Sequence, residues 1–147
     1  MTKKSKHQTI TLDELISQLK ANDLKLTPPR KLILGTLLKH HGPFSAEDLH
    51  KQFGKNTCDL VTIYRNLSHL EEIKMVRRCE FGDGVARYEL AHPDDDHHHH
   101  IICKDCRKVV VLNSCEMDLS LNHYAKKQGF KGVSHILEFF GTCPDCQ

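Results

Sequence analysis

The sequence predicts an α+β protein of two small domains, and three observations support this fold class. The first half holds four helix-forming segments and then two short β-forming runs around a glycine-containing turn. A polar, turn-prone segment follows at residues 91–96. Beyond it, short apolar runs alternate with two Cys-x-x-Cys pairs. A chain of 147 residues suffices for one ordinary domain or two very small ones, and we expect domains at 1–88 and 89–147.

Composition and charge restrict the class of protein further. No apolar run approaches the roughly 18 residues of a membrane span, and no export signal follows the Lys-rich start, so we expect a cytoplasmic protein without a membrane partner. The net charge is only +2. Residues 1–40 nevertheless carry eight basic residues against three acidic ones. This basic part permits an anionic partner such as DNA, although the charge by itself favours a solvated basic face.

Two amphipathic helices are predicted at the start of the chain. Thr11 and Glu14 have the spacing of a capping box, and apolar residues then recur at helical intervals, which predicts a helix over 12–22. A second helix begins at Thr27, because the following Pro-Pro pair suits a first helical turn, and it ends before Gly42. Its predicted apolar stripe is Leu32, Ile33, Leu37 and Leu38.

Two more helices precede the β-forming runs. Ser45 is a predicted N-cap for a helix over 46–53 that Gly54 closes. The fourth helix runs from Asp59 to Ile73 and leaves Thr62, Tyr64, Arg65 and Asn66 largely off its apolar face. That face is formed by Leu60, Ile63, Leu67, Leu70 and Ile73.

A hairpin is predicted directly after the fourth helix, with strands at 75–80 and 85–90 joined by residues 81–84. Several short helices followed by a small hairpin are typical of a winged helix-turn-helix. In that fold the last helix enters the major groove of DNA and the hairpin lies along the backbone. Beyond residue 91 we expect strands at 100–103, 108–112 and 133–140, with a helix over 116–128.

Two cysteine pairs give the strongest chemical signal of the sequence. They are separated by 36 residues, and four thiolates in two chelating pairs match a closed tetrahedral zinc site. A redox dithiol and an iron–sulfur cluster are the alternatives. A four-thiolate site has no open coordination position, so it predicts stabilisation rather than catalysis. The predicted ligands are Cys103, Cys106, Cys143 and Cys146.

A second group of metal-binding residue types is the run His97–His100, with Glu89 upstream. On a strand, His98 and His100 point to one face and His97 and His99 to the other, so two sites are possible. Imidazole and carboxylate ligands suit exchangeable Fe²⁺, Mn²⁺ or Zn²⁺. The alternative is a solvated polar loop. Three other cysteines are unpaired in this scheme and are treated as small apolar residues: Cys58, Cys79 and Cys115.

Over most of its length the chain resembles the ferric uptake regulator (Fur) superfamily of metal-dependent repressors. The resemblance rests on five motifs and on His135. The motifs are Thr27-Pro-Pro-Arg30, Ser45-Ala-Glu-Asp-Leu49, Val61-Thr-Ile-Tyr-Arg-Asn-Leu67, the histidine run joined to Ile102-Cys-Lys-Asp-Cys106, and Leu137-Glu-Phe-Phe-Gly-Thr-Cys-Pro-Asp-Cys146.

The resemblance implies a homodimer that binds an inverted-repeat operator in double-stranded DNA. It assigns a winged helix-turn-helix to the amino-terminal domain and dimerisation to the small α/β domain with its Cys₄ zinc site. It also assigns DNA contacts to Arg30, Thr62, Tyr64 and Arg65. Arg suits guanine or phosphate, whereas Tyr suits either a thymine methyl group or a phosphate.

By the same resemblance, a regulatory metal site uses Glu89, His98 and His100. A second metal site uses His97, His99, Asp118 and His135. The chain departs from the family pattern at Pro43, where a histidine is usual, and at Val111, where an acidic ligand is common. We therefore expect His41 or Cys79 to complete the regulatory site.

These features predict a repressor in which bound metal raises DNA affinity by favouring one orientation of the DNA-reading domains. Fe²⁺ is the expected effector, and Zn²⁺ or Mn²⁺ are possible. A zinc-uptake regulator and a peroxide sensor are alternatives within the superfamily. A metallohydrolase or a metal buffer would be a different class. The sequence has no nucleophile elbow or phosphate loop, so no enzymatic activity is expected.

Overall fold

The computed structural model describes residues 10–40, 42–91, 98–112, 117–133 and 135–147, with the side chains of 117–119 left out of the description. The chain divides into two compact units, Met1–Pro93 and Asp94–Gln147. Within the described residues, no helix has the length and apolar character needed to cross a membrane.

Four helices form most of the first unit: α1 (Leu12–Ala21), α2 (Pro28–Lys39), α3 (Ala46–Phe53) and α4 (Leu60–Glu72). The predicted capping box at Thr11 is confirmed, because its hydroxyl accepts from the Glu14 backbone N–H while the Glu14 carboxylate accepts from the Thr11 N–H. Ser45 and Asp48 make the same reciprocal pair at the start of α3. These caps satisfy backbone donors that a helix leaves unpaired at its N-terminus.

The core of the first unit lies between these helices. The stripe predicted for α4 is confirmed, since Ile63, Leu67 and Leu70 are fully buried. Asn66, predicted off this face, is buried as well, because its Nδ2 donates to the Thr62 carbonyl and so satisfies the amide within the helix. The stripe predicted for α2 is partly wrong, because Leu34 is fully buried whereas Leu32 is half-buried. The reason is that α2 has neighbours on several sides, namely α1, α3, α4 and a strand, so it buries more than one face.

A small three-stranded antiparallel sheet completes the first unit, and the strand that ends at Leu90 lies in its centre. The predicted hairpin is confirmed as β2 (Val76–Glu80) and β3 (Ala86–Leu90). The sequence did not reveal β1 (Phe44–Ser45), which pairs with β3. A strand of two residues is too short to show alternation. The boundary expected at 88/89 falls inside β3, whose last residue Leu90 pairs with Val76 and is buried, whereas the compact units divide after Pro93.

The loop between β2 and β3 is held by one arginine. Two nitrogens of Arg87 donate to the two carboxylate oxygens of Asp83 at 3.0 and 2.9 Å, and the Arg87 guanidinium lies over the Phe81 ring, 5.3 Å from its centroid. Because both charged side chains are nearly buried, this bidentate pair fixes the hairpin turn in one conformation.

The second unit contains a three-stranded sheet and one helix. The strands are β4 (His99–Cys103), β5 (Val109–Leu112) and β6 (Glu138–Gly141), and the helix is α5 (Met117–Lys127). The strand order is β5-β4-β6, with β5 antiparallel and β6 parallel to β4. A short 3₁₀ turn at Pro144–Cys146 was not expected from the sequence.

The strand predicted over 133–140 is wrong at its start. It begins only at Glu138, where backbone pairing with β4 begins opposite His100, and it extends to Gly141. Apolar residues upstream of Glu138 gave the appearance of a longer strand. One of them, Ile136, is instead 94% exposed.

Candidate metal centres and nucleic-acid interface

The four predicted zinc ligands lie together in the second unit. Their Sγ atoms all lie within 4.8 Å of one another. The first pair begins at the last residue of β4 and the second follows β6, so the parallel pairing of these two strands brings the pairs together. The Sγ atoms of Cys106 and Cys143 are 3.6 Å apart, and the Cys143 backbone N–H donates to the Cys103 Sγ at 3.3 Å.

The thiols of this cluster have different proton affinities. Hydrogen bonds from the backbone N–H groups of Cys143 and Cys106 lower the pKa of Cys103 from 9.0 to about 6. Burial raises the pKa of Cys143. Hydrogen bonding to the neighbouring sulfur of Cys143 raises the pKa of Cys146 to about 12. Cys103 therefore carries the thiolate at neutral pH, and its charge favours protonation of the neighbouring sulfurs.

This arrangement fits a tetrahedral zinc ion. Zn–S bonds of about 2.3 Å place the sulfurs of a tetrahedral site about 3.8 Å apart, close to the Cys106–Cys143 separation. A bound divalent cation would also displace the protons of the protonated thiols, so that all four sulfurs would bind it as thiolates. The cluster has the ligand type and spacing of a structural zinc site.

Two histidines of the predicted second metal site also lie together. The Nε2 atoms of His99 and His135 are 3.3 Å apart, and their rings are stacked with centroids 5.1 Å apart. The Nδ1 atom of His99 lies 3.1 Å from the backbone carbonyl of Leu137. A carbonyl only accepts, so Nδ1 carries the proton and the lone pair of a neutral ring is on Nε2. Two nitrogens about 2.1 Å from one metal ion in tetrahedral geometry are about 3.4 Å apart, so this pair fits a shared ion.

The two histidines of the predicted regulatory site form another pair. The rings of His98 and His100 meet edge to face with centroids 5.1 Å apart. His100 is only 2% exposed, and its Nδ1 atom lies 3.3 Å from Oε1 of Glu138. The acceptor for His99 is Leu137 and the acceptor for His100 is Glu138, the first residue of β6.

Glu89, the predicted carboxylate ligand, lies on β3 of the first unit and is 6% exposed. Its Oε1 atom accepts from Arg77 Nε at 2.6 Å and from the Cys79 Sγ at 3.4 Å. The antiparallel register places Arg77 directly opposite Glu89. A buried carboxylate is costly unless it is paired, so Arg77 compensates the Glu89 charge within the first unit. Cys79, one of the two residues expected to complete the regulatory site, thus lies next to the Glu89 carboxylate.

The candidate nucleic-acid interface is the exposed side of α4. Asp59 caps this helix by accepting from the Thr62 N–H at 2.8 Å and from its hydroxyl at 2.7 Å. These bonds lower the pKa of Asp59, so it is ionised at neutral pH. Tyr64 is 42% exposed, and Arg65 is exposed beside it. The apolar face of α4 packs into the core and therefore turns these residues outward.

The remaining predicted interface residue, Arg30, lies in the first turn of α2. One of its terminal nitrogens donates to the Lys25 carbonyl at 2.7 Å, which fixes part of the guanidinium group. Its Nε atom is buried without a hydrogen bond to any part of the chain that the structure describes. Arg30 thus presents a partly anchored positive charge near the start of its helix.

Several predicted residues fall outside the described part of the chain. They are His41, His97 and Cys115, together with the side chain of Asp118. Cys58 is buried in the first unit, where burial raises its pKa, as expected for a small apolar residue. Sequence reasoning missed Arg77, Glu138 and Glu47 as partners of predicted site residues. Arg77 lies within the predicted hairpin, but its place opposite Glu89 follows from the observed register, in which Glu80 pairs with Ala86.

A winged-helix unit with an exposed recognition helix, joined to a unit with a four-thiol cluster and paired histidines, defines a metal-binding DNA-recognition protein. Residues 21–140 match the model of the Ferric uptake regulator family, and the chain belongs to this family.

Individual relatives agree with this assignment. The chain is 33% identical over 141 residues to a ferric uptake regulation protein of Campylobacter jejuni, covering 93% of this chain and 88% of the relative. The crystal structure of the Vibrio cholerae ferric uptake regulator superposes with a TM-score of 0.76 at 30% identity, over 88% of this chain and 99% of the other. The Helicobacter pylori regulator, described as having three functional metal-binding sites, also gives 0.76, at 28% identity over 92% of this chain and 90% of the other.

Proposed function

We propose that this chain is a metal-responsive, DNA-binding transcriptional repressor with Fe²⁺ as effector, and that it acts on operator DNA in the cytoplasm. This function is supported by two features that occur together in the same chain. A capped helix exposes Tyr64 and Arg65, while a separate strand holds histidines whose ring tautomers suit metal binding. Neither feature includes a nucleophile paired with a base, so regulation explains the chain better than catalysis does.

The proposed structural ion is Zn²⁺ in the four-cysteine cluster. It would join the end of β4 to the segment after β6, and its role would be to stabilise the second unit. The closed thiolate set supports this role, because no coordination position is left for a substrate or for an exchangeable effector.

The proposed regulatory site takes Glu89 from the first unit and His98 and His100 from the second, with His41 or Cys79 as a further ligand. A metal ion held by ligands from both units would favour one arrangement of the DNA-reading unit and so raise operator affinity. The proposed second site takes His97, His99, Asp118 and His135. The facing Nε2 atoms of His99 and His135 support this site.

The proposed active form is a homodimer that reads an inverted repeat. An apolar row across the second unit's sheet supports self-association. Val110, Ile101 and Phe139 are adjacent in the strand registers and are 48%, 39% and 42% exposed. A row of exposed apolar side chains on a unit of this small size is typical of a subunit interface.

A zinc-responsive regulator is the second candidate, and the contact between Cys79 and Glu89 favours it. A thiolate beside the carboxylate would make the regulatory site softer and would shift its preference from Fe²⁺ toward Zn²⁺.

The experiment that tests both candidates measures metal content and DNA affinity together. Exchangeable metal is removed with a mild chelator, the remaining zinc is quantified, and Fe²⁺, Mn²⁺ and Zn²⁺ are titrated while binding to an inverted-repeat duplex is followed. We expect about one retained zinc per chain and operator binding that is restored by Fe²⁺. Binding restored only by Zn²⁺ would favour the zinc regulator, and DNA binding that is independent of added metal would contradict both.

A further inference from the structure

His100 lies in the middle of a row of three residues across the second unit's sheet. In the strand registers it is opposite Val111 of β5 on one side and opposite Glu138 of β6 on the other. The Val111 side offers an apolar side chain, whereas the Glu138 side offers a carboxylate. His100 is almost fully buried, so its polar ring atoms depend on neighbours of this kind.

Glu138 contacts His100 through one carboxylate oxygen. Oε1 lies 3.3 Å from the His100 Nδ1 atom, and the Glu138 side chain is 19% exposed. The other oxygen, Oε2, is buried and has no hydrogen bond to any residue that the structure describes. A half-satisfied carboxylate at such a position costs folding free energy, which suggests that it serves a purpose other than stability.

The contact determines which ring nitrogen of His100 can bind a metal. An ionised carboxylate only accepts hydrogen bonds, so Nδ1 of a neutral His100 is the protonated nitrogen. The lone pair is then on Nε2. His99 follows the same pattern, since its Nδ1 atom is held by the carbonyl of Leu137, the residue before Glu138. Two consecutive residues leading into β6 therefore set the tautomers of two consecutive histidines.

We propose that Glu138 is a positioning residue for the regulatory metal site: its carboxylate accepts the Nδ1–H of His100 and thereby presents Nε2 as the ligating atom. This inference rests on the proposed function, because it takes His100 as a ligand of the effector. A carboxylate behind a ligating imidazole fixes the ring orientation and increases its basicity, which strengthens the metal bond. His100 thus has the Glu138 carboxylate of β6 on one side and the apolar side chain of Val111 of β5 on the other.

The test uses the full-length protein with its zinc retained and Co²⁺ as the probe metal, followed by its visible absorbance. Removal of the carboxylate in E138A should weaken Co²⁺ binding by about ten- to a hundredfold. E138Q keeps an oxygen acceptor and should stay within about threefold of the parent protein. The matched control is E72A, because Glu72 is an exposed acid at the end of α4 in the first unit and belongs to no proposed metal site. We expect E72A to bind Co²⁺ like the parent.

Two further measurements separate the possible outcomes. H100A should remove the Co²⁺ bound at the regulatory site, while any Co²⁺ held by His99 and His135 should remain; if H100A binds as much Co²⁺ as the parent protein, the proposed regulatory site is wrong. If H100A loses this Co²⁺ but E138A binds it normally, only the role of Glu138 is wrong. Equal losses in E138Q and E138A would make Glu138 a metal ligand and overturn a positioning role.

The tautomer of His100 in the metal-free parent protein gives a readout that needs no variant. Long-range ¹H–¹⁵N spectra of the imidazole nitrogens should show Nδ1 as the protonated atom. Protonation on Nε2 would overturn the proposal even if E138A fails to fold.

Discussion

The Tyr64 hydroxyl donates a hydrogen bond of 2.6 Å to Oε1 of Glu47 and so links the recognition helix α4 to helix α3. This bond also raises the pKa of Tyr64. A phenol has a single proton to donate, and here the carboxylate receives it. Of the two roles open to Tyr64 on sequence grounds, contact of its ring with a thymine methyl group is therefore favoured over donation to a phosphate.

The first prediction follows from this contact. Y64F should change operator affinity by less than about threefold, because the hydroxyl makes no donor bond to DNA and Glu47 stays solvated. Y64A should weaken binding about tenfold, because the ring contact is lost. Fluorescence anisotropy with an inverted-repeat duplex measures both. A loss in Y64F as large as that in Y64A would show that the hydroxyl itself contacts DNA.

The second prediction concerns Arg65. R65A should weaken binding and make the plot of log affinity against log salt less steep by about one per chain, because one phosphate contact is lost. The matched variant R65K keeps the charge and should retain the salt slope. If R65K instead loses discrimination between operator and random duplex, Arg65 reads a base through its guanidinium fork. An unchanged slope in R65A would remove Arg65 from the interface.

The third prediction concerns the four-cysteine cluster. C143S should reduce bound zinc from about one per chain to about none and lower the melting temperature of the second unit. It should also weaken Co²⁺ binding, because Cys143 follows β6, and the first residue of β6 and the residue before it hold the rings of His100 and His99. The matched control is C58A, because Cys58 lies in the first unit; this variant should retain the zinc of the four-cysteine cluster. Metal analysis, thermal unfolding and Co²⁺ titration check these outcomes, and normal Co²⁺ binding by zinc-free C143S would disprove the coupling.

The fourth prediction concerns pH. Cys143 and Cys146 have raised pKa values, the latter about 12, so both are protonated at pH 7 and zinc must displace both protons. Apparent zinc affinity should therefore fall by about a hundredfold or more per unit decrease in pH. Competition with a chromogenic chelator at several pH values measures this slope, and a slope near zero would indicate thiolates that are already ionised.

The pKa of Cys103 is lowered, whereas the pKa values of Cys143 and Cys146 are raised. The Cys103 pKa is lowered from 9.0 to about 6, so its thiolate stabilises the metal-free folded unit above pH 9 and, in decreasing measure, down to about pH 6. That contribution is lost as the pH falls through about 6. Zinc release should consequently steepen below this pH, because a proton on Cys103 then also competes with the metal.

Local patterns explain which parts of the fold were predictable. The caps at Thr11 and Ser45 and the stripe of α4 depend on residues three or four positions apart, and the sequence displays such spacings directly. The start of β6 was mispredicted and β1 was missed, because a strand exists only where a partner strand pairs with it. The same limit applies to Leu34, whose burial depends on neighbours around α2.

The sequence by itself determined the ligand chemistry of this protein: two Cys-x-x-Cys pairs, a histidine run and a recognition helix with Tyr64 and Arg65 on its polar side. Only the tertiary structure decided which atoms those residues use. The pairing of β6 with β4 assigns the Nδ1 atoms of His99 and His100 to Leu137 and Glu138, and the packing of α3 beside α4 gives the Tyr64 hydroxyl to Glu47. These partners lie 38 and 17 residues apart in the chain, and hydrogen bonds over such separations depend on the folded backbone, which local spacing does not encode.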